Sequence, residues 1–344
     1  MGASILVDDA NLQNIVYSGL GWTHEAKQGS TLNGTLTILN TKSQNTTLSP
    51  LSFFMDFYGT DFNIYGPGNK GISLNYSLDS SLTLQSGIIN SDGRTGKNGV
   101  NIWNLQGLDS AVFHSIKVIP SGGAFALDYI TYPPTQSTTL AGQNLIVDDT
   151  DQSIHYSGTW NKTTAEFPVG VPYLGTMSGS SKQGSNATFT FTGSSVSVYG
   201  LLNQQAGKLS TFFSVDGGAT TAYTPFNGTQ NTNVSSWALS QQFYHQDLQP
   251  GSHTLAIQLE EVTGNQMLWI DSVVYTGSVN TQTTQANNAK SGSVHLSPGI
   301  IAAISVLGFL GLLGCFTQRK RVSHLVTTYR TVHVPVVVRE TYLV

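Results

Sequence analysis

The sequence is poor in charge and nearly devoid of cysteine. Lys, Arg, Asp and Glu make up 10% of its 344 residues, against roughly a quarter in an average soluble domain. Its polarity comes instead from Ser, Thr, Asn, Gln and Gly, a composition that favours an extracellular β-protein. It offers no basic stripe, so we expect no nucleic-acid partner. Its one cysteine, Cys315, excludes an intrachain disulfide.

Motifs of the common enzyme classes are missing as well. The chain has no G-x-S-x-G elbow, H-E-x-x-H pair, phosphate-binding loop or dinucleotide fingerprint. Its histidines assemble no recognisable nucleophile triad. We therefore predict that the protein is not an enzyme and has no organic cofactor.

Long hydrophobic runs are absent except for one near the C-terminus. Residues 296–318 carry no charge, and their 23 positions can span a hydrocarbon layer, which is roughly 30 Å thick. Up to residue 318 there are 18 acidic and 10 basic side chains (−8), and from residue 319 there are 5 basic and 1 acidic (+4). This pattern predicts a transmembrane helix over 296–318 and a cytosolic tail over 319–344, as in a type I protein of the plasma membrane. A buried core helix is the alternative.

Targeting and modification signals are weaker. The first ten residues do not resemble a signal peptide, and we expect one upstream of Met1 rather than a chain facing the cytosol. Cys315 is a candidate for palmitoylation because it lies near the cytosolic boundary. The chain contains Asn-x-Ser/Thr sequons, about as many as chance gives in this composition. They are candidate glycosylation sites and lie at Asn33, Asn45, Asn75, Asn161, Asn186, Asn227 and Asn233.

The two halves of the chain are similar in order and spacing. Residues 146–160 read IVDDTDQSIHYSGTW, and residues 6–22 read LVDDANLQNIVYSGLGW. Further matched pairs are residues 34–37 with 175–178, 57–66 with 191–200, Asp79 with Asp216, His114 with His253, and Asp128 with Asp271. The offset stays between 134 and 143 residues, which predicts a tandem duplication of one domain.

Within each copy the hydrophobic period is two, as in a β-strand. One predicted inward face holds Ala187, Phe189 and Phe191, and another holds Leu209, Thr211, Phe213 and Val215. Asp216-Gly217-Gly218 predicts a hairpin turn. We predict an all-β fold of two jelly-roll sandwiches, copy one over 1–132 and copy two over 145–277. A linker over 133–144 joins them, and a Ser/Thr/Asn-rich stalk over 278–295 precedes the membrane segment.

The repeated carboxylates allow three interpretations. Asp8 and Asp9, like Asp148 and Asp149, follow the first strand of their copy, and Asp128 and Asp271 lie on the last strands. First and last strands are often neighbours in a sandwich, so we expect each Asp-Asp step to lie near the last-strand aspartate. The group could bind a structural calcium ion, accept backbone hydrogen bonds in a turn, or act in acid–base catalysis. Duplication favours the two structural interpretations, because a folding device must recur in every domain.

Four tryptophans also occupy matched positions. Trp103 and Trp237 are candidates for stacking on sugar rings, with core packing as the alternative. Trp22 and Trp160 end the repeated Tyr-Ser-Gly stretch, where we expect them to close one end of a core.

These stretches together resemble a surface-protein family abundant in mushroom-forming fungi. The resemblance covers residues 5 to about 321 and rests on residues 146–160, FTFTGSSVSVYG, the VDGG hairpin, PGSHTL and LWIDSVVYTG. It implies one or two galactose-binding-like β-sandwich domains, a stalk, one transmembrane helix and a cytosolic tail. The last strands are also similar to those of carbohydrate-binding modules in which a carboxylate helps to hold calcium, which would implicate Asp128 and Asp271.

We therefore expect a single-pass surface protein whose ectodomain binds carbohydrate or cell-wall polymer, with the membrane as its second partner. One alternative is a structural or adhesive surface glycoprotein without a glycan pocket. A more remote one is a glycan-active enzyme.

Overall fold

The computed structural model of the chain describes residues 2–26, 29–40, 50–69, 71, 73–88, 94–121, 124–229 and 236–279. They belong to one compact unit, Met1–Ala286. Within these residues no helix is long and apolar enough to cross a membrane. The predicted transmembrane segment, the tail, Cys315 and the stalk beyond residue 279 lie outside the described residues.

The predicted all-β fold is confirmed. Copy one contributes β1 (Ser4–Asp8), β2 (Ile15–Ser18), β3 (Trp22–Ala26), β4 (Thr35–Asn40), β5 (Ser52–Phe57), β6 (Asp61–Gly66), β7 (Ser73–Leu78), β8 (Gln85–Ile88), β9 (Val100–Gln106), β10 (His114–Ser121), β11 (Ala124–Leu127) and β12 (Tyr129–Tyr132). Copy two contributes β13 (Asn144–Asp148), β14 (Ile154–Ser157), β15 (Asn161–Thr163), β16 (Met177–Ser180), β17 (Asn186–Asn203), β18 (Lys208–Val215), β19 (Thr221–Asn227), β20 (Trp237–Val262) and β21 (Leu268–Gly277). Short 3-10 turns at Leu32–Gly34 and Tyr173–Gly175 occupy matched positions.

Copy one packs two layers of antiparallel strands against each other. One layer runs β2-β5-β10-β7-β8, and the other contains β9-β6-β12-β1. Apolar side chains fill the space between them. Phe57 of the first layer lies 5.0 Å from Phe62 and 5.3 Å from Tyr132 of the second, between ring centroids. Strands β11, β4 and β3 form a small additional sheet.

Copy two uses longer strands for a similar arrangement. The first residues of β17 pair with β14, and those from Gly193 onward pair with β21. The register shifts between Gly193 and Ser195, where β17 passes from one neighbour to the other. The matched region of copy one is divided into β5 and β6.

The predicted strand faces are buried as the period of two requires. All seven residues of the two predicted inward faces in β17 and β18 are at most 8% exposed. The predicted hairpin turn is also present, with positive φ at Asp216 and Gly217 and a hydrogen bond from Gly218 N to Val215 O at 2.9 Å. Two consecutive positive φ angles fit the tight turns that match the twist of a hairpin.

One sheet continues from copy one into copy two. β1 pairs antiparallel with β13, and each of these also pairs with the last strand of its own copy. Eight apolar and aromatic side chains pack on one face of this junction, and we call them the joint cluster: Leu6, Leu32, Tyr65, Tyr129, Ile146, Tyr173, Tyr199 and Val274. This cluster explains why β21 is buried on both faces, with Val273 in the main core and Val274 in the joint cluster.

The segment predicted as a linker packs against both copies. Thr135 is 1% and Leu140 is 5% exposed. Gly142 N donates to Gly277 O at 2.9 Å, and Thr138 Oγ1 donates to Tyr58 O at 3.1 Å. The copies are therefore tied together along the segment that connects them.

Candidate functional site

The second aspartate of each repeated step lies at the centre of a hydrogen-bonded cluster. In copy two, Asp149 accepts from Thr176 Oγ1 at 2.7 Å and from Ser178 Oγ at 2.6 Å. Its backbone carbonyl accepts from Tyr156 Oη at 2.9 Å, and the Tyr156 ring packs on Trp160 with centroids 4.8 Å apart. The repeated Asp-Asp and Tyr-Ser-Gly motifs thus meet in space as one structural unit.

Copy one reproduces this cluster. Asp9 accepts from Thr35 Oγ1 at 2.7 Å and Thr37 Oγ1 at 2.6 Å. Tyr17 Oη donates to the Asp9 carbonyl at 2.8 Å, and its ring lies 4.9 Å from that of Trp22. Burial raises the pKa of both Asp9 and Asp149 to about 6, although the hydroxyl hydrogen bonds oppose the shift.

The first aspartate of each step makes a turn, as one interpretation predicted. Ala10 N donates to Asp8 Oδ1 and Thr150 N donates to Asp148 Oδ2, both at 3.1 Å. These bonds reach two residues ahead, the pattern of an Asx turn. The carboxylates of Asp9 and Asp149 additionally accept from side-chain hydroxyls at or next to the starts of β4 and β16, which the turn interpretation did not include.

The last-strand aspartates lie beside these clusters, as expected from the strand order. Asp9 N donates to Asp128 O, and Asp149 N donates to Asp271 O, both at 3.0 Å. The side-chain carboxyls instead accept from the 3-10 turns, at Leu32 N (3.0 Å) for Asp128 and at Tyr173 N (2.8 Å) for Asp271. Burial raises the pKa of both carboxyls well above the ordinary range.

Within the described residues, no three His, Cys, Asp or Glu side chains are grouped to hold a metal ion. The donors around Asp9 and Asp149 are hydroxyl groups of the chain, which serve the carboxylates as hydrogen-bond partners. Structural calcium at these aspartates stays a prediction.

The two candidate sugar-stacking tryptophans are placed differently. Trp103 is 7% exposed and packs on Tyr76, with ring centroids 4.9 Å apart. This burial agrees with the alternative that Trp103 packs in the core. Trp237 is half-buried and packs on Phe167 at 5.2 Å.

The candidate glycosylation sites also differ in exposure. Asn161 and Asn227 are exposed on β15 and β19, whereas Asn75 and Asn186 are half-buried. Both polar atoms of the Asn33 amide form hydrogen bonds within the fold. Its Nδ2 donates to Asp8 Oδ2 at 2.8 Å, and its Oδ1 accepts from Tyr199 Oη at 2.6 Å. Asn45 and Asn233 lie outside the described residues.

Sequence reasoning missed a polar cleft where the two copies meet. Its volume is about 670 Å³. The described residues lining it are Ala26, Gly29, Thr31, Asn33, Gly34, Tyr199, Ser240, Gln241 and Gln242. None of these described residues carries a formal charge, and most have an amide or hydroxyl group. Several of these groups already bond within the fold, as the Asn33 amide and the amide nitrogens of Gln241 and Gln242 do. Their remaining donor and acceptor positions can hydrogen-bond a ligand.

The copy-two wall of the cleft is shaped by irregularities in β20. Tyr199 pairs with Gln242 and Gly200 with Gln241, with register shifts on both sides of this pair. Ser240 has a φ of 56°, in the left-handed region of backbone conformation that residues other than glycine rarely adopt. Bulges and left-handed residues of this kind redirect side chains and concentrate at ligand sites. Here they bring two glutamine side chains to one opening.

The copy-one wall is formed by the 3-10 turn at Leu32–Gly34 and the residue before it. Thr31 is 5% exposed, and its Oγ1 has no hydrogen-bond partner among the described residues. The matched turn of copy two has Pro172 and Leu174 where copy one has Thr31 and Asn33. Both turns place their second residue at positive φ, 53° at Asn33 and 50° at Leu174. The backbone is thus shared while the polar groups belong to copy one alone.

Comparison with known proteins gives one partial sequence match. No protein-family model matches the chain. A curated protein of Flavonifractor plautii, named A type blood alpha-D-galactosamine galactosaminidase, is 27% identical over 164 residues. The match covers 47% of this chain but only 14% of that protein.

Solved structures give weaker similarities. A two-domain esterase active on acetylated mannans has a TM-score of 0.31 at 16% identity, covering 44% of this chain and 40% of the esterase. The plant receptor-like kinase ANX1 has a TM-score of 0.26 at 10% identity, covering 82% of this chain and 97% of its own. Similarity at this level identifies no function.

Proposed function

We propose that this protein binds carbohydrate, and that the cleft between the two copies is the binding site. The observation that carries the proposal is the convergence of uncharged hydrogen-bonding groups from both copies on one opening. Amides and hydroxyls both donate and accept hydrogen bonds. A sugar, whose neighbouring hydroxyls also donate and accept, is the ligand class that best uses such a wall.

The partial match to a galactosaminidase supports a carbohydrate ligand. The chain spans only a small part of that enzyme, so its hydrolytic activity is not carried over. The paired aspartates give no support to a glycosidase site, since Asp9 and Asp149 are 0% exposed and bonded to hydroxyl groups of the chain. Binding without hydrolysis is the simpler proposal.

The cellular setting is part of the same proposal. Each copy would be a galactose-binding-like jelly roll, and the protein would belong to the surface family of mushroom-forming fungi that it resembles. Residues 296–318 would cross the plasma membrane once, with residues 319–344 in the cytosol. The cleft would then face the cell wall.

The test is binding of the purified chain to a glycan array, to chitin and to β-glucan. Gln242 is exposed at the cleft and donates from Nε2 to Ser197 Oγ at 3.2 Å. We expect Gln242→Ala to weaken binding, whereas Gln258→Ala, at an exposed glutamine of the same strand, should not.

Failure of every glycan to bind the folded chain would overturn the proposal. A structural or adhesive surface glycoprotein would then be the better description. Equal loss of binding in both glutamine variants would overturn the assignment to the cleft.

A further inference from the structure

We propose that this duplicated chain has a single composite ligand site, and that the copy-one residues Thr31 and Asn33 give it specificity. The inference rests on the proposed carbohydrate binding. It departs from the expectation that a tandem repeat of binding domains offers one site per copy.

The site is composite because its walls come from different copies. Thr31 and Asn33 belong to copy one, whereas Tyr199, Gln241 and Gln242 belong to copy two. The walls are bonded to each other through Tyr199 Oη and Asn33 Oδ1 at 2.6 Å. A ligand in the cleft therefore contacts both copies at once.

The joint holds these walls in place before a ligand arrives. β1 and β13 pair directly beneath the joint cluster, and Tyr65 of copy one lies 6.0 Å from Tyr173 of copy two between ring centroids. A second connection runs beside the cleft, where Leu239 N donates to Ser30 Oγ at 3.1 Å. Preorganised walls reduce the entropy cost of binding.

Thr31 supplies the strongest indication of a missing partner. Thr31 lines the cleft, and its buried hydroxyl has no hydrogen-bond partner among the described residues. A buried hydroxyl without a partner is destabilising. The fold does not need it, since Pro172 occupies the matched position of copy two. A ligand hydroxyl or amide in the cleft would provide the partner.

Asn33 differs from its counterpart in the same way. Leu174 holds the same left-handed turn in copy two and is 42% exposed. Asn33 instead connects Asp8 to Tyr199 by hydrogen bonds through its two amide atoms. Asn33 is therefore a positioning residue that fixes the Tyr199 hydroxyl at the edge of the cleft.

Isothermal titration of the full-length chain tests the stoichiometry. The probes are blood-group-A oligosaccharide, chitohexaose and laminarihexaose, and the tightest-binding one is carried forward. We expect one ligand per chain. Two equivalent ligands per chain would overturn the composite site while leaving carbohydrate binding intact, and no binding by any probe would overturn both.

Thr31→Val tests the copy-one contact because it removes the hydroxyl and keeps the branched shape. Loss of one hydrogen bond should weaken binding by roughly ten-fold. The melting temperature should stay unchanged or rise, a result that a purely structural role would not give. Leu174→Asn is the matched control in copy two, and we expect it to leave affinity and stoichiometry unchanged. Unaltered affinity in Thr31→Val, or an equal loss in Leu174→Asn, would refute the assignment.

Discussion

Replacing Asp149 by asparagine should flatten the pH dependence of stability. The carboxylate is 0% exposed, and burial raises its pKa from 3.8 to about 6. A carboxyl with a raised folded-state pKa favours the protonated folded protein. Its contribution to stability is therefore complete at low pH and is lost as the pH rises through about 6.

The shift in the pKa of Asp149 sets how much the free energy of unfolding changes with pH. Between pH 7 and pH 5, a carboxyl whose pKa moves from 3.8 in the unfolded chain to about 6 in the folded chain adds about 1 kcal/mol to the free energy of unfolding. In a compact unit that spans Met1–Ala286, the gain corresponds to about 2 °C in melting temperature. Asparagine keeps the hydrogen bond from Thr176, and the Ser178 hydroxyl can rotate to accept from the new amide.

The assay is thermal denaturation of the wild type and Asp149→Asn at pH 7 and pH 5. Asp9, Asp128 and Asp271 shift in the same direction, and His253, whose pKa is raised, also favours stability at lower pH. Both proteins share these groups, so the difference between their pH shifts isolates Asp149. Asp56→Asn, at an exposed position of β5, is the control and should behave like the wild type. Identical pH shifts in the wild type and Asp149→Asn would refute the reasoning.

Three further outcomes follow from single contacts. Gly200→Ala should lower the free energy of unfolding by about 1–3 kcal/mol, because its new Cβ would clash with the backbone oxygen of Trp269 in β21. The measurement is chemical or thermal denaturation. Gly251→Ala is the control, since a Cβ there would have no contact closer than 3.4 Å. Asp216→Asn should lower the pKa of His253 measured by NMR titration, since Nδ1 of that ring lies 2.7 Å from the carboxylate, and an unchanged pKa would contradict the pairing. Asn33 should carry less glycan than the exposed Asn161 in mass spectra of the protein made in a eukaryotic secretory host, because folding ties its amide to Asp8 and Tyr199 and competes with modification. Equal occupancy of the two sites would contradict this.

The strands could be predicted because their signals are local. Alternating apolar residues in β17 and β18 fix which face is buried, and the Asp216-Gly217 step fixes the turn. The meeting of Asp149 with the last strand also followed from sequence, through the usual adjacency of first and last strands. These features depend on pattern and chain order, both of which the sequence displays.

The partners of the paired aspartates were missed although their signal was present. Thr176 and Ser178 alternate on one strand and match Thr35 and Thr37 in copy one. Two hydroxyls on one strand face at the same place in both copies indicate a shared acceptor. In copy two, that acceptor is the carboxylate of Asp149.

The cleft could not be predicted from local patterns, because it depends on how the copies join. The segment 133–144 reads as a polar linker, yet Thr135 and Leu140 are buried. Nothing in the composition of β1 and β13 specifies that they pair with each other. The irregular register around Ser240 likewise follows from tertiary packing rather than from a turn motif.

Comparison of the copies separates folding devices from candidate ligand contacts. The hydrogen bond between His253 and Asp216 has its equivalent between His114 and Asp79, at 2.7 and 3.0 Å. An interaction that recurs in both copies is sufficiently explained by the fold they share. The fold that the copies share does not explain Thr31, because copy two has Pro172 at the matched position. The Thr31 hydroxyl also has no hydrogen-bond partner among the described residues. Three buried side-chain atoms have no partner in the described part of the chain, on Thr31, Asp128 and Thr211. Of these residues only Thr31 lines the cleft, which is why we assign its missing partner to a ligand.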